Sequence, residues 1–400
     1  MTATRIVRGA TLAAGAVVWI VLAALLWRTT VPSLHPPRLD ERAVFGAALV
    51  RHAQRYERFF VWDWVAATIV ALGVYVLIAR RGRPLATRLG LRPVNAGIVL
   101  GVLTITAVWA VDIPFALAGT WWERRHGISR EGYAAALVSQ WEQLLGLAFA
   151  TLVLLGIVLL LARRFGRRWW IAATPTIVAL ALLVQFLQPF LFSIGTKPLR
   201  SPQLRTAVAR LEAREHAGTP TVRVDDVSGR TREANAFATG IGPSAHVVIW
   251  NTLLDGRFPV AQVRFVIAHE LGHLARNHIL RGVGWFGLLL LPVLALVAYT
   301  ADLRRGSAVP LALLVIALVQ LALLPARNEI SRRIETEADW IALNATRDPA
   351  ADRGLFTGFV ATSLQDPSPP AWVHVLLDDH PSPLQRVELA KAWLAWNGNR

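Results

Sequence analysis

His269, Glu270 and His273 fall within one five-residue run, His-Glu-Leu-Gly-His, a spacing that a helix converts into a metal site. At 3.6 residues per turn, positions i and i+4 share a face, so both imidazoles can reach one ion. Glu270, next to His269, is rotated to one side, where its carboxylate can take a proton from water. The chain has no cysteine, which excludes disulfides and thiolate zinc sites, so a transition metal must be held by His and carboxylate. The rival reading is an amphipathic helix with incidental histidines. It fits poorly, because the flanks Val266, Ile267 and Leu271 are apolar and three costly polar groups beside them need partners.

A hydrolytic zinc site needs a third protein ligand and an open position for water. The run Ser331-Arg332-Arg333-Ile334-Glu335-Thr336-Glu337-Ala338-Asp339 supplies candidates, with Glu335 and Asp339 again at i and i+4. One carboxylate of such a pair can bind metal, while the other accepts the spare N–H of a ligand histidine and fixes its tautomer. Glu337 competes for the ligand role but lies on the opposite helix face, so Glu335 is the expected ligand.

These residues need rigid elements to hold them. Pro259 suits a first helical turn, and no proline follows until Pro292, which predicts a helix carrying the His-Glu-Leu-Gly-His run. Thr221–Val227 alternates like a half-buried strand and Ala245–Trp250 is rich in β-branched residues, which predicts a short two-stranded edge before that helix. Around these lie seven apolar blocks: Thr11–Trp27, Val61–Ala79, Gly97–Trp122, Leu144–Ala162, Trp169–Ile194, Gly282–Thr300 and Val309–Leu324. Each approaches or exceeds the roughly 20 residues that cross a bilayer core. The first, preceded by Arg5 and Arg8, is longer than a signal-peptide core and reads as an uncleaved span. Hydrophobic residues make up 54% of the chain and charged residues 17%, a membrane-protein balance. Asp112, Gln185 and Gln188 interrupt the third and fifth blocks, and polar groups at that depth face a partner or a wet cavity.

The fold class that emerges is mainly α: a seven-helix transmembrane bundle capped by a small α+β zinc protease domain with a short edge sheet. Residues 1–195 would hold five spans, 196–281 the first half of the protease domain, 282–325 spans six and seven, and 326–400 the second half. The net charge of +16 comes almost wholly from arginine, clustered in short inter-span loops such as Arg80–Arg83 and Arg163–Arg168. There it meets lipid headgroups; with no basic stripe interleaved with aromatics, nucleic acid is not an expected partner. The arginine bias also points to a high-GC bacterium and hence to its cell membrane.

His-Glu-Leu-Gly-His, followed after two spans by Ser-Arg-x-x-Glu-x-x-Ala-Asp, resembles the zinc-dependent type I CAAX prenyl endopeptidases and the related HtpX-type membrane proteases. Further ordered stretches resemble the first family: Ile113-Pro114-Phe115 through Glu123 to Ser129, Asp226–Thr231, Asn235–Gly240, His278, and His380-Pro381 through Arg386. The resemblance covers roughly Trp62 to Arg386. It implies one Zn²⁺ at His269, His273 and Glu335, with Glu270 as base and Asp339 behind the ligands. It further implies catalytic roles for His380 and Arg386 at the oxyanion or substrate backbone. Asn235, Ala236 and Phe237 would lie along a substrate bound as an added strand. The substrate would be a protein or peptide, lipid-modified or membrane-embedded, and the zinc site would face the cytoplasm, although the dense arginines of short loops two and four argue for the opposite side. A quality-control protease of HtpX type, a protease-like signal transducer and a non-catalytic scaffold are the competing functions.

Overall fold

Backbone amides in hydrocarbon have no water to bond, so apolar segments there must close their hydrogen bonds internally, as helices do. The computed structural model describes residues 2–398, with side chains from residue 13 to 398. Helices α1 (Thr2–Leu26), α2 (Glu41–Phe45), α3 (Ala47–Leu89), α4 (Pro93–Arg125), α5 (Tyr133–Phe165) and α6 (Trp169–Phe192) come first. Then follow β1 (Lys197–Pro198), α7 (Pro202–Glu215), β2 (Thr221–Asp225), β3 (Ala236–Thr239) and β4 (His246–Trp250). The chain ends with α8 (Val260–Ala275), α9 (His278–Thr300), α10 (Val309–Thr346), α11 (Pro349–Ser363), α12 (Ala371–Leu377) and α13 (Pro383–Gly398).

Among the described residues, five helical stretches are long and apolar enough to cross a membrane, not the seven expected. The difference has two sources. Tyr133–Phe192 runs through α5, a tight turn at Gly166–Arg168 and α6 as one stretch, and of the 25-residue α1 only Ala13–Leu26 falls among the residues with described side chains. The side chains of Arg5 and Arg8 lie outside the described residues. Large apolar side chains such as Leu145, Phe149, Leu191 and Leu296 point outward from these helices. Exposure on that scale is what a lipid-facing surface requires.

The boundaries of the apolar helices exceed the sequence blocks in one instructive way. Helix α10 continues unbroken through Pro325 into the Ser331–Asp339 run, so one 38-residue helix carries both an apolar stretch and the acidic motif. The main core joins α2, the start of α3, α7, β4, α8, α10, α11 and α13, with Val50, Val247, Phe265, Leu271, Leu343 and Leu355 among its most buried members. A second, smaller core lies between α5, α6, α9 and α10, around Leu159, Trp169, Val297 and Val309.

The sheet has four strands rather than two, in the order β1-β2-β4-β3. β2 and β4 run parallel, while β3 pairs antiparallel with β4. That order leaves β3 at an edge, beside α8. The loop after α4 docks onto the segment leading into β3: Arg130 N–H donates to the Arg230 carbonyl at 2.7 Å, and Arg232 N–H to that of Ile128 at 2.9 Å. Two stretches that are 100 residues apart in the chain therefore meet beside the edge strand.

Candidate active site

Helix α8 crosses α10 closely because residue 272 is glycine. A Cβ there would come within 3.2 Å of Ile341 Cγ2 on α10. The crossing brings His269, His273 and Glu335 together, and their ligand atoms lie within 4.8 Å of one another. The two Nε2 atoms stand 3.0 Å apart, His269 Nε2 is 3.2 Å from Glu335 Oε2, and His273 Nε2 is 3.5 Å from Glu335 Oε1. Three ligands bonded tetrahedrally to zinc at about 2.0–2.1 Å would be about 3.3 Å apart. Two ring nitrogens that face each other at 3.0 Å beside a carboxylate can share either a proton or a metal ion, and with the ligand spacing above the donor set fits zinc.

Behind His269, its Nδ1 lies 2.8 Å from Asp339 Oδ1, which also accepts from Arg386 Nη1 at 2.8 Å. An Nδ1–H donated to Asp339 leaves the Nε2 lone pair for the metal. Burial alone would lower the pKa of His269, but the hydrogen bond and charge of Asp339, followed by Glu335, outweigh it and raise it to about 10. In His273 burial dominates and lowers the pKa to about 3. Glu270 is pushed up to about 7, chiefly by burial, with the charge of His269 opposing. Its Oε2 accepts the Ala238 N–H of β3 at 2.7 Å, which ties the edge strand to the carboxylate.

The remaining expected residues gather around the same cleft, a cavity of about 300 Å³ lined in part by Asn235, Ala236, His269, Glu270, His380 and Arg386. Phe237 lies instead on a second cavity of about 550 Å³, with Gln185, Gln188 and Ala238. Asp112 is exposed and lines neither. His380 is half exposed, with Nδ1 2.7 Å from Asp379 Oδ1 and Nε2 3.4 Å from Glu335 Oε2. Burial would lower its pKa, but Asp379 and Glu335 raise it. Arg386, which as an isolated residue reads as a surface ion-pair former, is instead buried between Asp339 and Glu335. The Asn235 side chain accepts the Ala236 N–H at 2.8 Å, occupying a donor of the β3 edge.

Three carboxylates near the site escaped the sequence reading. Asp352 is fully buried beside Asp339, and neither of its oxygens has a partner. Burial, then the charge of Asp339, holds it protonated well above the usual carboxylate range. Glu215 is likewise without partners, and burial pushes it up to about 8. Glu233 lines the cleft. A helical plot could have flagged the first two: Asp352 shares a face with Leu355, Phe356 and Phe359, and Glu215 extends the stripe Leu204, Val208, Leu211.

A mainly helical, multi-pass membrane fold that holds such a site on two crossed helices defines a membrane metalloprotease-like class. Residues 198–394 match the family described as Peptidase family M48 and constitute an M48 domain. The chain is homologous to a metalloprotease of Bacillus subtilis (strain 168), "Uncharacterized metalloprotease YhfN", at 28% identity over 58% of either chain. It is also homologous to a "CAAX prenyl protease 1 homolog" of Oryza sativa subsp. japonica, at 26% identity over 53% of this chain and 51% of that one. The matched regions thus span somewhat more than half the length of these relatives. The fold matches the crystal structure of S. mikatae Ste24p with a TM-score of 0.73, over 94% of this chain and 96% of that one, at 17% identity.

Proposed function

We propose that the chain is an integral-membrane zinc metalloendopeptidase that hydrolyses peptide bonds of membrane-associated or CAAX-like, lipid-modified proteins. The observation that carries this reading is the convergence of His269, His273 and Glu335 at ligand spacing, with Glu270 beside them in a cleft bordered by an edge strand. Zinc, when bound, polarises the scissile carbonyl and makes water more acidic. Glu270 removes a proton from the attacking water and passes it to the leaving amine. Its elevated pKa, near 7, suits a group that must both accept and return a proton at neutral pH. The substrate chain lies along β3, whose outward amides at Ala236 and Ala238 exchange their present partners for substrate carbonyls. His380, held by Asp379, donates toward the developing oxyanion, and Arg386 steadies that wall of the cleft.

In this reading α1, α3, α4, α5, α6, α9 and α10 are seven spans. Residues 196–281 and 326–400 then form one protease domain on the cytoplasmic side of a bacterial cell membrane. The name of the plant relative, a CAAX prenyl protease 1 homolog, favours a prenylated carboxy-terminal substrate. Glu270→Gln tests the mechanism: the variant is expected to keep one zinc per chain while peptide cleavage falls about 10³-fold. Cleavage at the wild-type rate would overturn the assignment of the base. Substrates trapped by the same variant and identified by mass spectrometry test the substrate class.

A further inference from the structure

Glu337, on the face of α10 away from the metal ligands, is fully buried and accepts from four residues. Its Oε1 takes the Thr30 N–H and the Thr30 hydroxyl, both at 2.9 Å, and Arg276 Nε at 3.3 Å. Its Oε2 takes Arg281 Nη1 at 2.6 Å and lies 3.4 Å from His278 Nε2. His278 is itself buried, and its Nδ1 stands 3.0 Å from Nδ1 of His273. One arrangement of protons satisfies every atom in this line. His278 Nε2–H donates to Glu337, His273 Nδ1–H donates to the bare His278 Nδ1, and the His273 Nε2 lone pair is left free.

The same cluster grips the end of α1. Arg281 Nη2 donates to the carbonyls of Leu26 at 3.0 Å and Arg28 at 2.6 Å, and Arg333 Nε donates to that of Trp27 at 2.8 Å. The Arg333 guanidinium also lies over the Trp27 ring, 4.8 Å from its centroid. Carbonyls that a helix end leaves unpaired are thus taken up by arginines of α9 and α10.

We propose that Glu337 is a positioning residue for the second zinc ligand, acting through His278, and that through Thr30 it makes the end of α1 part of the metal-binding unit. The inference rests on the reading that zinc sits at His269, His273 and Glu335. A charged carboxylate at 337 sets the direction of the relay. In Glu337→Gln the amide oxygen is drawn to the Thr30 and Arg276 side, where three donors wait against two on the other, and the NH₂ turns to His278 while Arg281 gives up this contact and keeps the carbonyls of Leu26 and Arg28. It then donates to His278 Nε2, moves the His278 proton to Nδ1 and forces the His273 proton onto Nε2, where it blocks the metal.

The test measures zinc affinity by chelator competition, and the visible spectrum of the Co²⁺-substituted protein, on the full chain in detergent. Glu337→Gln and His278→Phe are each expected to weaken zinc binding about tenfold and to alter the Co²⁺ bands. The double variant should lose the same tenfold rather than about a hundredfold, because either change cuts one relay. Independent structural damage would multiply, and multiplied effects, or affinities within twofold of wild type, would overturn the proposal. If His278→Phe does not fold, His278→Asn replaces it in the same cycle, and Thr30→Val should give a smaller loss that disappears in the Glu337→Gln background. A wild-type protein that binds no zinc would instead overturn the zinc reading itself.

Discussion

The two histidines of the site share a task but rest on different supports. His269 leans directly on a carboxylate, Asp339, which is pinned by Arg386 and backed by the protonated Asp352. His273 reaches its carboxylate, Glu337, only across a second imidazole, and that carboxylate is held by Thr30, Arg276 and Arg281. Both supports come from α10, two residues apart and facing opposite ways. A direct ion-paired hydrogen bond also raises the basicity of its histidine, whereas a neutral neighbour leaves burial to lower it. The opposite shifts of His269 and His273 express that difference.

The largest expected effect separates the two supports. Asp339→Ala removes the direct partner of His269 and leaves Arg386 with Glu335 as its one carboxylate partner at the site, so zinc affinity should fall about a hundredfold, against about tenfold for a cut on the His278 side. Equal losses, measured by chelator competition, would erase the distinction. Next comes pH. Of the two histidines only His269 is cationic in the metal-free protein near neutrality, so each zinc bound should displace one proton. Affinity should then rise about tenfold per pH unit between about 6 and 8, and a slope of two would show both histidines protonated. The smallest effect concerns Glu215, outside both supports. Its folded pKa, about 8, lies above its unfolded value, so the folded state binds the extra proton and stability falls as pH rises from about 4.5 to about 8. Glu215→Gln should therefore raise the melting temperature by roughly 5 °C at pH 8 and by much less at pH 5.

Much of the site can be read in the sequence because helical spacing places side chains on known faces. His269, His273, Glu335 and Asp339 follow from i, i+4 alone, and Glu337 from the half-turn offset. The crossing of α8 and α10 cannot be read that way, since it depends on how Gly272 meets Ile341. Strand β3 was hidden because Asn-Ala-Phe-Ala-Thr-Gly carries little β-branched character; its pairing with β4 and the Glu270 contact define it. Asp352 and Glu215 were overlooked as ordinary acids because a charge on an apolar face becomes conspicuous only once that face is buried. In the apolar half the long apolar helices were legible, but not their count, five qualifying stretches among the described residues against seven expected, nor their packing. Where lipid is the solvent, hydrophobicity marks the outer surface as strongly as the core.

Helix α10 has a mechanical consequence. It runs from an apolar stretch through Pro325 to Glu335, and Pro325 leaves the carbonyl of Leu321 without its usual helical donor, so the rod is softest there. Glu335 lies about 15 Å beyond that point, and a tilt of about 5° would carry its carboxylate about 1.3 Å. Displacements of about 1 Å in a reacting site can cost about a hundredfold in rate. On the proposed reading, in which Glu335 holds the metal and α10 spans the bilayer, membrane thickness and lateral pressure would act on the ligand through a lever, and the same polypeptide would run at different speeds in thin and thick membranes.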